Sequence, residues 1–424
     1  MFMNPNRAWS SLLTRHLSLF ATIPILLVLV YYLTNMYLPY WRISSVFLLV
    51  GVFYALKKQF IQPNWPLIVL CGTGFLVYAL NYHLLGKINP IPEEQYRYYK
   101  RIINQYVWFL PFLCLPTVFY NTGFKTPHFF NTLVAAALLL LFYVGFYNIA
   151  FEFDRQQLLE FFDPIIAYDI GAMAIGIVLL CHAFYVQKKW AYALVVLACL
   201  CIFTIMLHGS RGTWIGLPIV LALLCLQYFK TQLRKCGLTL ALFALFMGGN
   251  LVIPNSPIMN RMGALQYDYQ DISNQHMKSS SGIRLALWQN SFKLFLSQPT
   301  TGVGIYGIQE ENCRLQAQGA LPLCYQHQHS IVFHELASNG ILGLLGLLLE
   351  FAIPLGYFWR YFKSPDALSK NLAVCGIATL VYFFCSGLTE YYLFFLDTTY
   401  WFYLLVASLM SLLYLHSQTP TASA

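Results

Sequence analysis

The sequence predicts an all-α polytopic membrane protein with about twelve transmembrane helices and one large loop on the outer face. Composition is the first reason. Of 424 residues, 58% are hydrophobic and 10% charged, more apolar surface than a water-soluble globule can hide. The second is recurrence: runs of the roughly 17–25 apolar residues that a bilayer core demands appear along almost the whole chain. Arg7 and Arg15 precede the first run, and no A-x-A-like cleavage site follows it, so it is read as a retained first helix.

Taken in order, the apolar runs between polar breaks give spans at 17–37, 43–56, 65–85, 104–121, 129–150, 165–186, 190–207, 212–229, 237–253, 331–357, 371–389 and 398–416. The chain then divides into residues 1–253 with nine spans, a loop over 254–330, and residues 331–424 with three. With a cytoplasmic N-terminus, the inner segments hold Arg7, Arg15, Lys57, Lys58, Lys125, Lys188, Lys189, Lys230, Arg234, Lys235, Arg360, Lys363 and Lys370 against the single acid Asp366. The positive-inside rule supports that orientation, which leaves both termini cytoplasmic. Two outer segments break the rule: the loop at 86–103, with Lys87, Arg97, Lys100 and Arg101, and the segment 254–330.

The 254–330 segment is roughly 75 residues, and a connection that long is usually functional. It holds a helix-like stretch, Ile283 to Leu296, whose Leu285, Leu287, Trp288, Phe292 and Phe295 form an apolar stripe suited to the membrane surface. A Gly-Pro-rich turn follows, from Gln298 through Gly307. Most of the eleven cysteines sit in apolar runs as small hydrophobes, Cys71, Cys114, Cys181, Cys199, Cys201, Cys225, Cys375 and Cys385 among them. Cys313 and Cys324 face the oxidising side and are expected to form a disulfide; two free thiols in a partly buried loop are the alternative.

Arg155, Arg211, Arg261 and Arg284 all fall on one side of the membrane. An arginine at the hydrocarbon boundary snorkels to the interface or meets an anion, and its planar fork matches phosphate oxygens bidentately. Arg7, Arg42 and Arg360 are read as anchors. Arg211 is read as functional, because it sits in a Gly-Ser-Arg-Gly turn beside His208 on the side where positive charge is disfavoured. Four such arginines point to a diphosphate.

A second constellation is His327-Gln-His329-Ser330, leading to His334-Glu335. Histidines at i, i+2 do not share a helix face, so one of the two is expected to point into a given cleft. A zinc site wants three protein ligands, and forcing His329, His334 and Glu335 into that role gives no standard metalloprotease order; no metal and no other cofactor is assigned. His329 at the membrane surface suits proton transfer from a hydroxyl, with His327 and His334 as supporting candidates. A structural hydrogen-bonding role is the alternative for any one of them. The chain has no P-loop, Gly-x-Ser-x-Gly or D-x-D pattern, so neither ATP nor a nucleotide sugar is expected.

At these residues the sequence resembles the O-antigen ligase family of bacterial envelope enzymes. His329-Ser330, nine residues, then Gly340-Ile-Leu-Gly343 satisfies that family's H-[NSQ]-x9-G-x-x-[GTY] pattern. Arg211-Gly-Thr-Trp-Ile215 departs from its R-x3-L pattern by isoleucine for leucine. Gly282-Ile-Arg284-Leu-Ala-Leu-Trp288, Pro299 and Gly302-Val-Gly304 are similar to its loop helix, and Asn260-Arg261 and Asp154-Arg155 sit where it tends to place further arginines. The likeness is carried by motifs from about residue 150 to 350 and by topology elsewhere.

The resemblance implies a GT-C-like glycosyltransferase of the bacterial inner membrane. It would transfer a preassembled glycan from undecaprenyl diphosphate to a hydroxyl of lipid A–core oligosaccharide at the periplasmic face, without a metal and with inversion. Arg155, Arg211, Arg261 and Arg284 would hold the diphosphate, and His329 would act on the acceptor hydroxyl. The stripe around Trp288 would shape a lateral opening for the lipid tail. The partners implied are the lipid-linked glycan, lipid A–core and membrane lipids, with no nucleic acid. An O-antigen polymerase or a protein O-oligosaccharyltransferase is the near alternative, a transporter or flippase the distant one.

Overall fold

The computed structural model describes residues 5–36, 40–85, 105–187, 189–253, 256–274 and 276–418. The basic loop with Lys87, Arg97, Lys100 and Arg101 lies outside them. Every described element is helical. The α-helices are α1 (Pro5–Leu33), α2 (Tyr40–Leu56), α3 (Trp65–Leu85), α4 (Leu115–Thr122), α5 (Thr126–Ala150), α6 (Arg155–Phe161), α7 (Ile165–Tyr185), α8 (Trp190–Met206), α9 (Gly216–Tyr228) and α10 (Leu233–Val252). Then come α11 (Pro257–Ser273), α12 (Ser280–Ser297), α13 (Gly304–Ala317), α14 (Ile331–Tyr361), α15 (Ala367–Gly387) and α16 (Leu396–Gln418).

Among the described residues the expected apolar segments are mainly helical, and seven helices are long and apolar enough to cross a membrane: α5, α7, Arg211–Tyr228, α10, α14, α15 and α16. Shorter apolar helices fill Leu17–Leu33, Tyr40–Leu56, Trp65–Val77 and Trp190–Met206. The segment expected as one span at 104–121 is broken. Gln105–Cys114 is a 3-10 helix containing Pro111, and α4 starts after it with Pro116 in its first turn. Proline lacks the N–H that would continue the α-helical ladder.

Burial separates the spans that apolar composition alone cannot tell apart. Helices α7, α15 and α16 are almost wholly enclosed, whereas α9 and α10 leave Leu226, Leu245 and Val252 exposed. Small residues set the close approaches, as expected between helices in lipid. A Cβ on Gly171 would collide with the Tyr32 hydroxyl, and one on Gly176 would lie 3.0 Å from the Ala198 carbonyl of α8.

The 254–330 segment forms three helices rather than the single one expected. Ser256 and Ser279 cap α11 and α12 by accepting from Met259 N and Gly282 N, each at 3.1 Å, which satisfies amides a helix start leaves open. In α12 the expected membrane stripe is partly consumed by protein: Leu287 is buried, while Phe292 and Leu296 stay exposed. Cys313 of α13 is bonded to Cys324.

The stretch that carries the histidine pattern can be read position by position. His329 has φ 47°, in the left-handed region, and Ser330 caps α14 through Phe333 N. Gly340 breaks α14 with φ 62° and ψ −148°. At that break Ile341 N donates to the Pro299 carbonyl at 2.8 Å and Val303 N to the Ala337 carbonyl at 2.9 Å. The Gly-Pro turn is thus stitched into α14, and a Cβ on Gly340 would lie 2.6 Å from the Pro299 carbonyl oxygen. Gly343 makes room for the Glu335 side chain.

Candidate active site

Two groups of side chains meet at the ends of α7, α8, α11, α12 and α15. The first is the set of four arginines. Arg155, at the start of α6 behind its Asp154 cap, donates through Nη1 to the His208 carbonyl. Arg261 on α11 donates through Nε to the next carbonyl, Gly209, at 3.0 Å. Arg211 opens a 3-10 turn, Arg211–Trp214; its Nη2 lies 2.6 Å from Asp268 Oδ2, and its buried Nη1 has no hydrogen-bond partner in the protein. Arg284 on α12 donates through Nε to the Thr389 carbonyl at 3.0 Å and through Nη1 to Ser280 Oγ at 2.8 Å.

These guanidinium groups repel one another. Burial, then the charges of neighbouring arginines, pulls Arg261 down to about 10. Arg155 is lowered by burial, with Asp169 partly offsetting and Arg211 and Arg284 adding to the shift. Arg284 is lowered by burial, with Glu390 opposing and Arg211 adding. Asp268, Asp169 and Glu390 are the acids that act on the set. The four guanidinium groups outnumber the three acids that act on them, so the set keeps an excess of positive charge.

An open cleft of about 1010 Å³ borders two of the arginines, Arg155 and Arg261. Its polar wall is Asp154, Arg155, His208, Gly209, Asn260 and Arg261; its apolar wall is Leu245, Phe246 and Gly249 of α10 with Ile253 just beyond it. Leu245 and Ile253 are exposed on the outer surface of the bundle. The cleft therefore joins a cationic patch to a hydrocarbon-facing helix. Trp288, expected beside a lateral opening, stacks on Phe333 at 5.0 Å and donates Nε1–H to the Gln328 carbonyl at 3.1 Å.

The second group is centred on Glu390, just beyond α15. Its two oxygens each lie 3.1 Å from His329 Nδ1, and His327 Nδ1 is 3.7 Å from the nearer one. Both histidines turn to one carboxylate, contrary to the expectation that only one would enter a cleft. The reason is local: they sit in a turn with His329 at positive φ, where helix periodicity does not apply. The two rings are 4.4 Å apart, and His329 N–H donates to His327 Nδ1 at 3.3 Å. Burial, then the charge of His329, pulls His327 down to about 3, so its ring is neutral. Burial works to raise the Glu390 carboxyl, but the fields of His329, His327 and Arg284 and the His329 hydrogen bond outweigh it and hold it at about 2.

A carboxylate only accepts hydrogen bonds, so His329 Nδ1 carries the hydrogen and Nε2 is left as the basic nitrogen. His334 is elsewhere, stacked on Tyr391 at 3.7 Å with neither ring nitrogen hydrogen-bonded. The set His329, His334 and Glu335 does not assemble. The group whose atoms could ligate a metal is His327, His329 and Glu390, all within 4.8 Å of one another. Thr389 joins the two halves of the site, because Arg284 holds its carbonyl and Glu390 follows it in sequence.

Residues 193–348 match the family model described as O-antigen ligase. That segment is similar to the O-antigen ligase family. It spans His208, Arg211, Arg261, Arg284, His327 and His329, while Arg155 and Glu390 lie outside it. Over 374 residues the chain is 24% identical to an uncharacterized protein of Haemophilus influenzae, covering 84% of this chain and 90% of that one. Over 259 residues it is 22% identical to an O-antigen ligase of Escherichia coli K12, covering 58% of this chain and 59% of that relative.

Sequence reading passed over Glu390, Asp268 and Asp169. Asp169 could have been found, because an ionisable residue inside an apolar span is a functional candidate by default. Asp268 and Glu390 are ordinary acids until the fold brings an arginine or histidine to them.

Proposed function

We propose that the protein is an O-antigen ligase, moving a preassembled glycan from undecaprenyl diphosphate to a sugar hydroxyl of lipid A–core at the periplasmic face of the inner membrane. One observation carries the reading: of four clustered arginines, Arg155 and Arg261 border a cleft walled by α10, and Arg284 is tied through Thr389 to the buried Glu390 that holds the His329 imidazole. A donor with a polyprenyl tail and a diphosphate has that same shape. Its tail would lie along α10, and its diphosphate would meet Arg155, Arg261, Arg211 and Arg284.

The acceptor hydroxyl attacks the anomeric carbon as the bond from that carbon to the phosphate oxygen breaks. The electron pair leaves on the diphosphate, where the arginines stabilise it. The hydroxyl proton passes to His329 Nε2, while Glu390 holds the opposite side of the ring and stabilises the imidazolium. Displacement in one step inverts the anomeric centre. The four cations supply the charge stabilisation that a divalent ion supplies elsewhere, so transfer is expected to persist in EDTA. Both termini are placed in the cytoplasm by this reading.

The test supplies purified protein with an undecaprenyl-diphosphate glycan, with and without lipid A–core. Glycan appearing on the core lipid only when that acceptor is present supports a ligase. Elongation of the lipid-linked donor without it would make the protein a polymerase, the near alternative within the same family.

A further inference from the structure

Asp169 and His208 form a buried hydrogen-bonded pair that the proposed chemistry does not use. Asp169 Oδ1 is 2.6 Å from His208 Nδ1, and both side chains are fully enclosed. The imidazole is stacked on Phe162 at 5.1 Å. Asp169 lies within the membrane-spanning helix α7, where a carboxyl group is expensive and an apolar pair of similar size would pack at least as stably. The pair therefore wants a reason beyond stability.

His208 begins the turn whose two successive carbonyls receive Arg155 and Arg261. Gly209 takes φ 71°, and a Cβ there would lie 2.7 Å from Arg261 Cγ, so this backbone and that side chain are in close register. We propose that Asp169 and His208 are positioning residues for anion recognition. By pinning the His208–Gly209 turn, they hold Arg155 and Arg261 side by side and leave their remaining N–H groups for a lipid diphosphate. This rests on the ligase reading for the identity of the anion. Asp169 also acts on Arg155 directly, favouring its charged form.

The test is the affinity of the full-length protein in detergent for undecaprenyl diphosphate, alongside steady-state transfer. Asp169→Asn is expected to weaken binding and raise donor KM about tenfold with kcat nearly unchanged, a size typical of coupling within one hydrogen-bond network. The loss should shrink when Asp169→Asn is made in an Arg155→Ala or an Arg261→Ala background, because the pair acts through those side chains. His208→Gln runs the same cycle should Asp169→Asn fail to fold. An unchanged affinity, or an equal loss in all three backgrounds, overturns the positioning role while leaving the ligase reading intact. If the wild-type protein does not bind undecaprenyl diphosphate at all, the ligase reading fails, and this role fails with it.

Discussion

Glu390 lies 61 positions from His329 in sequence, yet both its oxygens face one ring nitrogen, and that contact decides which nitrogen can accept a proton. Glu390→Gln keeps the shape and removes the charge. It should lower kcat by about 10²-fold, within the range of acid–base contributions, with little change in KM and partial recovery in Glu390→Asp; an unaffected kcat would remove Glu390 from the mechanism. His327 makes a different prediction. Its imidazole falls from an ordinary 6.5 to about 3 in the fold, chiefly by burial. Between those values the unfolded chain binds the proton and the folded one does not, so stability is full above about 6.5 and is lost as pH falls toward 3. His327→Gln should therefore flatten the dependence of Tm on pH between about 6.5 and 4. Equal slopes in both proteins would mean that the ring is not held neutral. Glu390, with its carboxyl lowered from 4.5 to about 2, contributes stability that is fully present above about 4.5 and is lost as pH falls toward 2, so it does not set the slope above 4.5.

At the scale of elements, the Pro299–Gly304 turn and the break in α14 act as one joint. Gly340→Ala places a side chain at positive φ and against the Pro299 carbonyl, and should cost about 1–3 kcal/mol. Gly356→Ala on the same helix meets nothing within 4 Å and should change stability by less than about 0.5 kcal/mol. Thermal unfolding of the two variants side by side checks both; equal stability would mean the joint carries no strain on substitution. The spacing of the histidine pattern was legible in the sequence, but its cause was not. Ser330 is a helix cap, Gly340 is the docking point of a turn forty residues upstream, and Gly343 clears space for Glu335. Periodicity located the helices well because apolar runs report local chemistry. It misjudged 104–121, where Pro111 and Pro116 interrupt the ladder, and the surface stripe of α12, because which residues pack against protein depends on distant partners.

Across the whole molecule, the sequence showed basic residues on the disfavoured side but not how they converge. Arg155, Arg211, Arg261 and Arg284 are scattered over most of the middle of the chain, and only folding reveals that they crowd together and that a lipid-facing cleft runs up to two of them. Trp288, expected beside a lateral opening, packs on Phe333, since an apolar stripe is equally suited to packing on protein and to facing lipid. The proposed function divides labour: the arginines would hold the donor, and His329 would move the proton. The most direct measurement is single-turnover transfer together with donor binding, comparing wild type with His329→Ala and with Arg211→Ala. We expect His329→Ala to bind undecaprenyl-diphosphate glycan as wild type does and to lose transfer by about 10³-fold, and Arg211→Ala to lose binding as well. Transfer at the wild-type rate by folded His329→Ala would contradict the account.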